Sequence, residues 1–322
     1  MIRRRAMITL LGGAATWPIV ARAQHTATPV IGFLGNASHD LHAFHLGLKE
    51  AGYVEGHNIE IDYRWASGEN SRLREFAAAL VDRHVTVIVA EGTPSAVAAK
   101  AATKTIPIVF VVAADPVKVG LVASMKRPGA NLTGVTNLNV EVGQKRLELV
   151  RELLPAVTTV GVLLDPTSPA ISGPFLEALQ PAARALGLQL HSLFASTDRD
   201  FESAFAALVQ LRAGALVISP NVLFNNQSEQ LAALSLRHGV PAIYQYRPFA
   251  SAGGLMSYGS DEMEFYRLLG TYAGKILNGE NPADLPVVQS TKVELIINLK
   301  TAKILGIAMP IALLVRADEV IE

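Results

Sequence analysis

Short apolar runs rich in Val and Ile recur along the chain, spaced so that one helix fits between each pair. Residues 30–34, 59–65, 85–90 and 108–112 predict strands, and the amphipathic stretches 41–51, 71–83 and 94–102 predict the helices between them. The second half repeats the plan: strands are expected at 160–164, 189–195, 215–219 and 242–246, with helices near Phe175, Phe201 and Leu231. Apolar strands alternating with helices are the signature of βαβ units and a mainly parallel sheet, so the fold class is α/β.

Local matches between the halves point to an internal duplication. Leu73-Arg74-Glu75-Phe76-Ala77-Ala78-Ala79-Leu80-Val81 parallels Phe201-Glu202-Ser203-Ala204-Phe205-Ala206-Ala207-Leu208-Val209, and Ile106-Pro107-Ile108 parallels Val240-Pro241-Ala242. Two similar lobes facing a cleft follow. In open α/β sheets ligands bind in the crevice at the strand C-terminal ends, so the loops after these strands are where function is sought.

The Gly-, Asn- and Thr-containing stretch 129–141 fits a connection from the first lobe to the second. A second change of lobe is expected after Ser257-Tyr258, and a third at Asn281-Pro282-Ala283-Asp284, just past a helix over 262–277 that Gly279 stops. The resulting division is 28–137 with 260–283 for lobe 1 and 138–259 with 284–322 for lobe 2. Residues 298–306 predict a capped helix, whereas 310–322 lacks a period and is expected to run over the surface.

Several strand-end loops carry polar groups suited to a small ligand. Gly92-Thr93-Pro94-Ser95 opens a helix whose first N–H groups lack intrahelical partners and favour an anion; the same residues serve equally as an ordinary cap. Asp115, after Ala114, either accepts from a ligand or is the N-cap of a helix entered at Pro116. Asn36 and Ser38 follow the first strand. On the second lobe Asp165, Asn221, Tyr246 and Tyr258 occupy the corresponding strand ends, where a tyrosine offers a flat apolar face and one hydroxyl, or simply packs.

Charge and composition narrow the classes. Lys plus Arg and Asp plus Glu are 28 each, with no basic block beyond the start of the chain, so no nucleic-acid partner is expected. Without cysteine there is no disulfide or thiolate chemistry. There is no Gly-x-Ser-x-Gly elbow, phosphate loop, Gly-x-Gly-x-x-Gly turn or His-Glu-x-x-His pair. No catalytic residue, metal ligand or cofactor is therefore assigned, and the chain is not expected to be an enzyme.

The N-terminus has the order of an export signal. Arg3-Arg4-Arg5 precedes an apolar stretch, 7–20, broken only by Thr9 and Thr16, and Ala21-Arg22-Ala23 gives a small-x-small cleavage site. The paired arginines resemble a twin-arginine signal, with Met7 where that pattern usually has Phe or Leu. Cleavage before Gln24 would leave a mature periplasmic protein of about 300 residues, room for two lobes.

Over nearly its whole mature length the chain resembles the exported substrate-binding proteins of ABC importers, in the group related to tryptophan and tyrosine binding proteins. The strings that carry the resemblance are Val30-Ile31-Gly32-Phe33-Leu34, Gly47-Leu48-Lys49-Glu50-Ala51-Gly52-Tyr53-Val54-Glu55-Gly56, Ala113-Ala114-Asp115-Pro116-Val117, Gly253-Gly254-Leu255-Met256-Ser257-Tyr258-Gly259 and Ile297-Asn298-Leu299-Lys300-Thr301-Ala302-Lys303. The resemblance implies a type I periplasmic-binding-protein fold of two Rossmann-like lobes, a three-segment hinge, a small-molecule solute, a membrane permease as partner, and action as a monomer. It also implies a binding role for Gly92, Thr93, Ser95, Ala114, Asp115 and Asn137. The 36–40 loop departs from the pattern of the aromatic amino-acid binders, which leaves amino acids, other organic acids and small aromatics open. A sensor that hands its closed form to a membrane receptor is the alternative.

Overall fold

The structure, a computed structural model, describes residues 28–36, 38–137 and 139–322; the leader at 1–23 lies outside the described residues. The strands are β1 Val30–Gly35, β2 Glu60–Trp65, β3 Val87–Glu91, β4 Ile108–Val112, β5 Leu132–Thr136, β6 Thr159–Leu164, β7 Gln189–Phe194, β8 Ala215–Ile218, β9 Ala242–Tyr244, β10 Met256–Ser260, β11 Val288–Gln289, β12 Val293–Asn298 and β13 Glu319–Ile321. The helices are α1 His42–Glu50, α2 Leu73–Asp82, α3 Thr93–Ala102, α4 Gly143–Leu153, α5 Pro169–Leu186, α6 Phe201–Gln210, α7 Val222–Asn226, α8 Ser228–Arg237, α9 Arg247–Ser251, α10 Glu262–Leu277, α11 Leu299–Ile304 and α12 Ile311–Arg316.

Two sheets result, ordered β11-β5-β4-β3-β1-β2 and β13-β12-β10-β9-β8-β6-β7. Without their late-chain edge strands they share one topology, β5-β4-β3-β1-β2 against β10-β9-β8-β6-β7, parallel throughout. The repeat extends to detail. Both α2 and α6 are entered through a 3-10 turn, Asn70–Arg72 and Asp198–Asp200. Ile88 N–H donates to Pro107 O and Leu216 N–H donates to Pro241 O, each at 2.9 Å.

Burial on both faces explains why these strands read as unbroken apolar runs. Val87 and Val89 of β3 face one core cluster while Ile88 and Ala90 face another. In β8, Ala215 and Val217 likewise face away from Leu216 and Ile218. Successive side chains point to opposite faces, so a strand covered on both sides has no polar alternation to show.

Three expectations need correction. The supposed connection 129–141 contains β5, a fully buried strand paired with β4. Its Gly134 is required: a Cβ there would lie 2.1 Å from Phe110 O. The expected return to lobe 2 at 284 moves beyond Gln289, because β11 pairs with β5 in the first sheet, and Ser260 still pairs with Val293 in the second. Finally, 310–322 is not featureless: it forms α12 and then β13, which pairs with β12. The chain thus changes lobe around 137–142, at Asp261 and across 290–292, and these segments bond to one another. Ser260 Oγ donates to Asn137 O at 3.0 Å, and Asp261 N–H donates to Lys292 O at 3.1 Å.

Candidate functional site

The carboxyl ends of β1 and β3 in the first sheet and of β8 and β9 in the second border one cavity of about 530 Å³. Ser38, His39 and Glu91 come from the first lobe, Val222, Asn225 and Gln245 from the second, and Ser260, Asp261 and Glu262 from a crossing segment and the start of α10. Its size is ordinary for a small-molecule site. Two narrow recesses share walls with it. One, about 40 Å³, is lined by Gly92, Thr93, Asn137, Asn221 and Tyr246 together with Glu91 and Gln245. The other, about 10 Å³, is lined by Asn36, Ser95 and Asn221 with Glu91.

Among the residues expected at the site, Ser38 lines the main cavity, and Asn36, Gly92, Thr93, Ser95, Asn137, Asn221 and Tyr246 line the recesses. Four are elsewhere. Ala114 packs into the second lobe's core cluster, and Tyr258 packs against that same cluster. Asp115 closes a turn, its Oδ1 accepting from Val117 N–H at 2.8 Å and Lys118 N–H at 3.2 Å, and the helix expected from Pro116 is replaced by turns over 116–120. Asp165 acts from behind, accepting from Ser168 Oγ, Thr167 Oγ1 and Asn221 Nδ2 at 2.9, 2.7 and 2.8 Å, and so fixes the Asn221 amide. Asn221 Oδ1 in turn caps α7 through Leu223 N–H.

Tyr246 ties the lobes together. Its ring belongs to the first lobe's core cluster, and its hydroxyl accepts from Asn137 Nδ2 at 2.8 Å and Asn139 Nδ2 at 3.1 Å. Behind it lies Arg146, fully buried, which donates to Asn139 O, Asn139 Oδ1 and Tyr258 O. With carbonyl oxygens as these partners, burial dominates and lowers the guanidinium to about 10.

Glu91, Gln245 and Glu262, which carry strong chemical signals, were not among the residues expected from sequence. Glu91, 6% exposed, accepts from Tyr266 OH at Oε1, and His39 Nε2 lies 3.5 Å from the same oxygen. Its Oε2 is buried without a hydrogen-bond partner among the described residues, as are Thr93 Oγ1 and Gln245 Oε1, at 0% and 2% residue exposure. Burial raises the Glu91 carboxyl above its usual range, against the lowering effect of His39 and Tyr266. Glu262, also on the cavity wall, is pushed up to about 8, first by burial and then by the charges of Glu91 and Asp261. Native structures leave few buried polar groups unpaired, so several unpaired oxygens bordering one space point to a polar ligand. The available signal was Glu91 itself, a carboxylate ending an apolar strand just before Gly92-Thr93-Pro94.

Comparison with known proteins gives the same picture at the level of family. A family described as ABC transporter substrate binding protein matches residues 35–321. A tyrosine-binding protein of Clostridioides difficile (strain R20291) is 30% identical over 259 residues, 80% of this chain and 74% of that one. The solved structure of an ABC domain in complex with L-Trp from Streptococcus pneumonia is 26% identical, covers 92% of this chain and 100% of its own, and superposes with a TM-score of 0.82. A ligand-free, open substrate binding protein with adhesive properties from Clostridium difficile is 27% identical over 91% of this chain and 99% of its own, with a TM-score of 0.63. The two lobes are those of a type I periplasmic-binding-protein fold, and the relatives are binding proteins rather than enzymes. The chain belongs to the ABC transporter substrate binding protein family.

Proposed function

We propose that the protein is exported, matures at Gln24, and acts as a monomer that captures an amino acid between its lobes and delivers it to the permease of an ABC importer. The solute's ammonium group meets Glu91 Oε2, and its carboxylate meets Thr93 Oγ1 and the opening N–H groups of α3, a ten-residue helix. The observation that carries this reading is the pair of unpaired oxygens on Glu91 and Thr93, which border one interlobe space. An ammonium supplies the donor that Glu91 Oε2 lacks, and a charge-assisted hydrogen bond is about twice as strong as a neutral one. A ligand lacking an amine would leave Glu91 Oε2 buried without a donor, at a cost of about 1–3 kcal/mol.

Two further observations support it. The relatives above include a tyrosine-binding protein and an L-Trp complex. At nearly equal identity, the chain superposes far better on the L-Trp complex than on the open ligand-free protein, as a closed arrangement of lobes would.

A thermal-shift screen of the purified protein tests the ligand class. Saturation at about 100 times Kd adds roughly 2.7 kcal/mol, so an amino acid should raise Tm while the corresponding deaminated acids do not. A shift with aromatic or other amine-free acids alone would move the reading to an anionic solute. Mass spectrometry of protein from the native envelope should begin at Gln24; an intact Met1 would remove the export step.

A further inference from the structure

The cavity is more acidic than one α-ammonium group requires. Besides Glu91, the wall carries Glu262 in the first turn of α10, partly buried, with no hydrogen bond or ion pair among the described residues. Its carboxylate neighbours are already answered: Lys292 Nζ lies 2.7 Å from Asp261 and 2.9 Å from Glu294. Arg247, the arginine on this wall, is committed to Glu319 at 2.6 Å. A second, independent feature faces the same space. Gln245 is buried, its Nε2 donates to Asn225 Oδ1 at 2.9 Å, and its Oε1, an acceptor, has no partner.

These groups ask for N–H donors and positive charge in the part of the cavity beyond the amino-acid head. A neutral aromatic side chain would deepen the burial of Glu262 and of Gln245 Oε1 without satisfying either. A carboxylate would add like-charge repulsion. An ammonium or guanidinium group pairs with Glu262 and has hydrogens left for Gln245.

Resting on the amino-acid reading above, we infer that the solute is a basic amino acid whose side-chain cation is received by Glu262 and Gln245. Calorimetric titration with L-lysine, L-arginine, L-norleucine, L-tyrosine and L-tryptophan tests it, norleucine being an uncharged counterpart of lysine. A basic amino acid should bind at least about tenfold more tightly than norleucine, and Glu262→Gln should bring that ratio to within about twofold while norleucine affinity holds or improves. Tyrosine, tryptophan or norleucine binding as tightly as either basic amino acid would overturn the inference and leave the amino-acid reading standing, as would an unchanged ratio in Glu262→Gln. Failure of every amino acid to bind would overturn the reading beneath it as well.

Discussion

Glu262 is a carboxyl whose surroundings favour its neutral form. Burial and the nearby carboxylates raise it from 4.5 to about 8, so between those values the folded protein holds a proton that the unfolded chain has released. The sign follows. The group costs no stability below pH 4.5, and stability is lost as pH rises through 8. Glu262→Gln in the unliganded protein should therefore raise Tm at pH 8.5 by about 2 °C or more, the equivalent of roughly 1 kcal/mol, and change it little at pH 4.5. An equal shift at both pH values in thermal melts would contradict this environment for the side chain. From sequence, the same residue reads as an acid in the first turn of a helix, where it suits the helix dipole. Glu91 was partly legible as a carboxylate ending an apolar strand, but only the folded arrangement shows that its second oxygen has no partner among the described residues. Loop composition did point to Thr93, Ser95 and Asn221, since capping and strand-end positions are local properties, whereas Asn137 came only from the family resemblance.

Among the elements, α10 joins distant parts of the chain. It follows β10 of the second sheet yet packs on α1 of the first lobe, with Phe265, Leu269 and Tyr272 in the cluster that also holds Ile31 and Phe33. Glycines make the approach possible: a Cβ at Gly47 would lie 2.0 Å from Arg267 O, and one at Gly270 would lie 2.1 Å from Phe44 O. Backbone cannot yield as a side-chain tip can, so Gly47→Ala should cost about 1–3 kcal/mol through overpacking. Gly173→Ala in α5, where a Cβ meets nothing within 4 Å, should be neutral or gain up to about 1 kcal/mol. Denaturant unfolding of both variants checks the pair; a Gly47→Ala protein as stable as the parent would refute the close helix contact. Strands buried on both faces, such as β3 and β4, were legible as apolar runs. β5 was not, because Leu132-Thr133-Gly134-Val135-Thr136 has a loop's composition, its Thr133 hydroxyl satisfied inside by Leu285 O at 2.7 Å and its glycine demanded by β4.

At the scale of the whole molecule, duplication was visible in the sequence because each lobe must repeat the same α/β packing. The crossings were placed less well, since β11 is a two-residue strand with no periodicity of its own. Those crossings carry part of the candidate site: Asn137, Ser260 and Asp261 lie in or beside them and also line the recess or the cavity. Under the function proposed above, a solute bound there would touch both lobes and the crossings, so occupancy would favour closure. Small-angle X-ray scattering with and without the amino acid that gives the largest thermal shift is the most direct measurement of that coupling. The parent protein should become more compact at saturation, and Glu91→Gln at the same solute concentration should not. Identical scattering from the parent with and without saturating solute would contradict binding by closure of the two lobes.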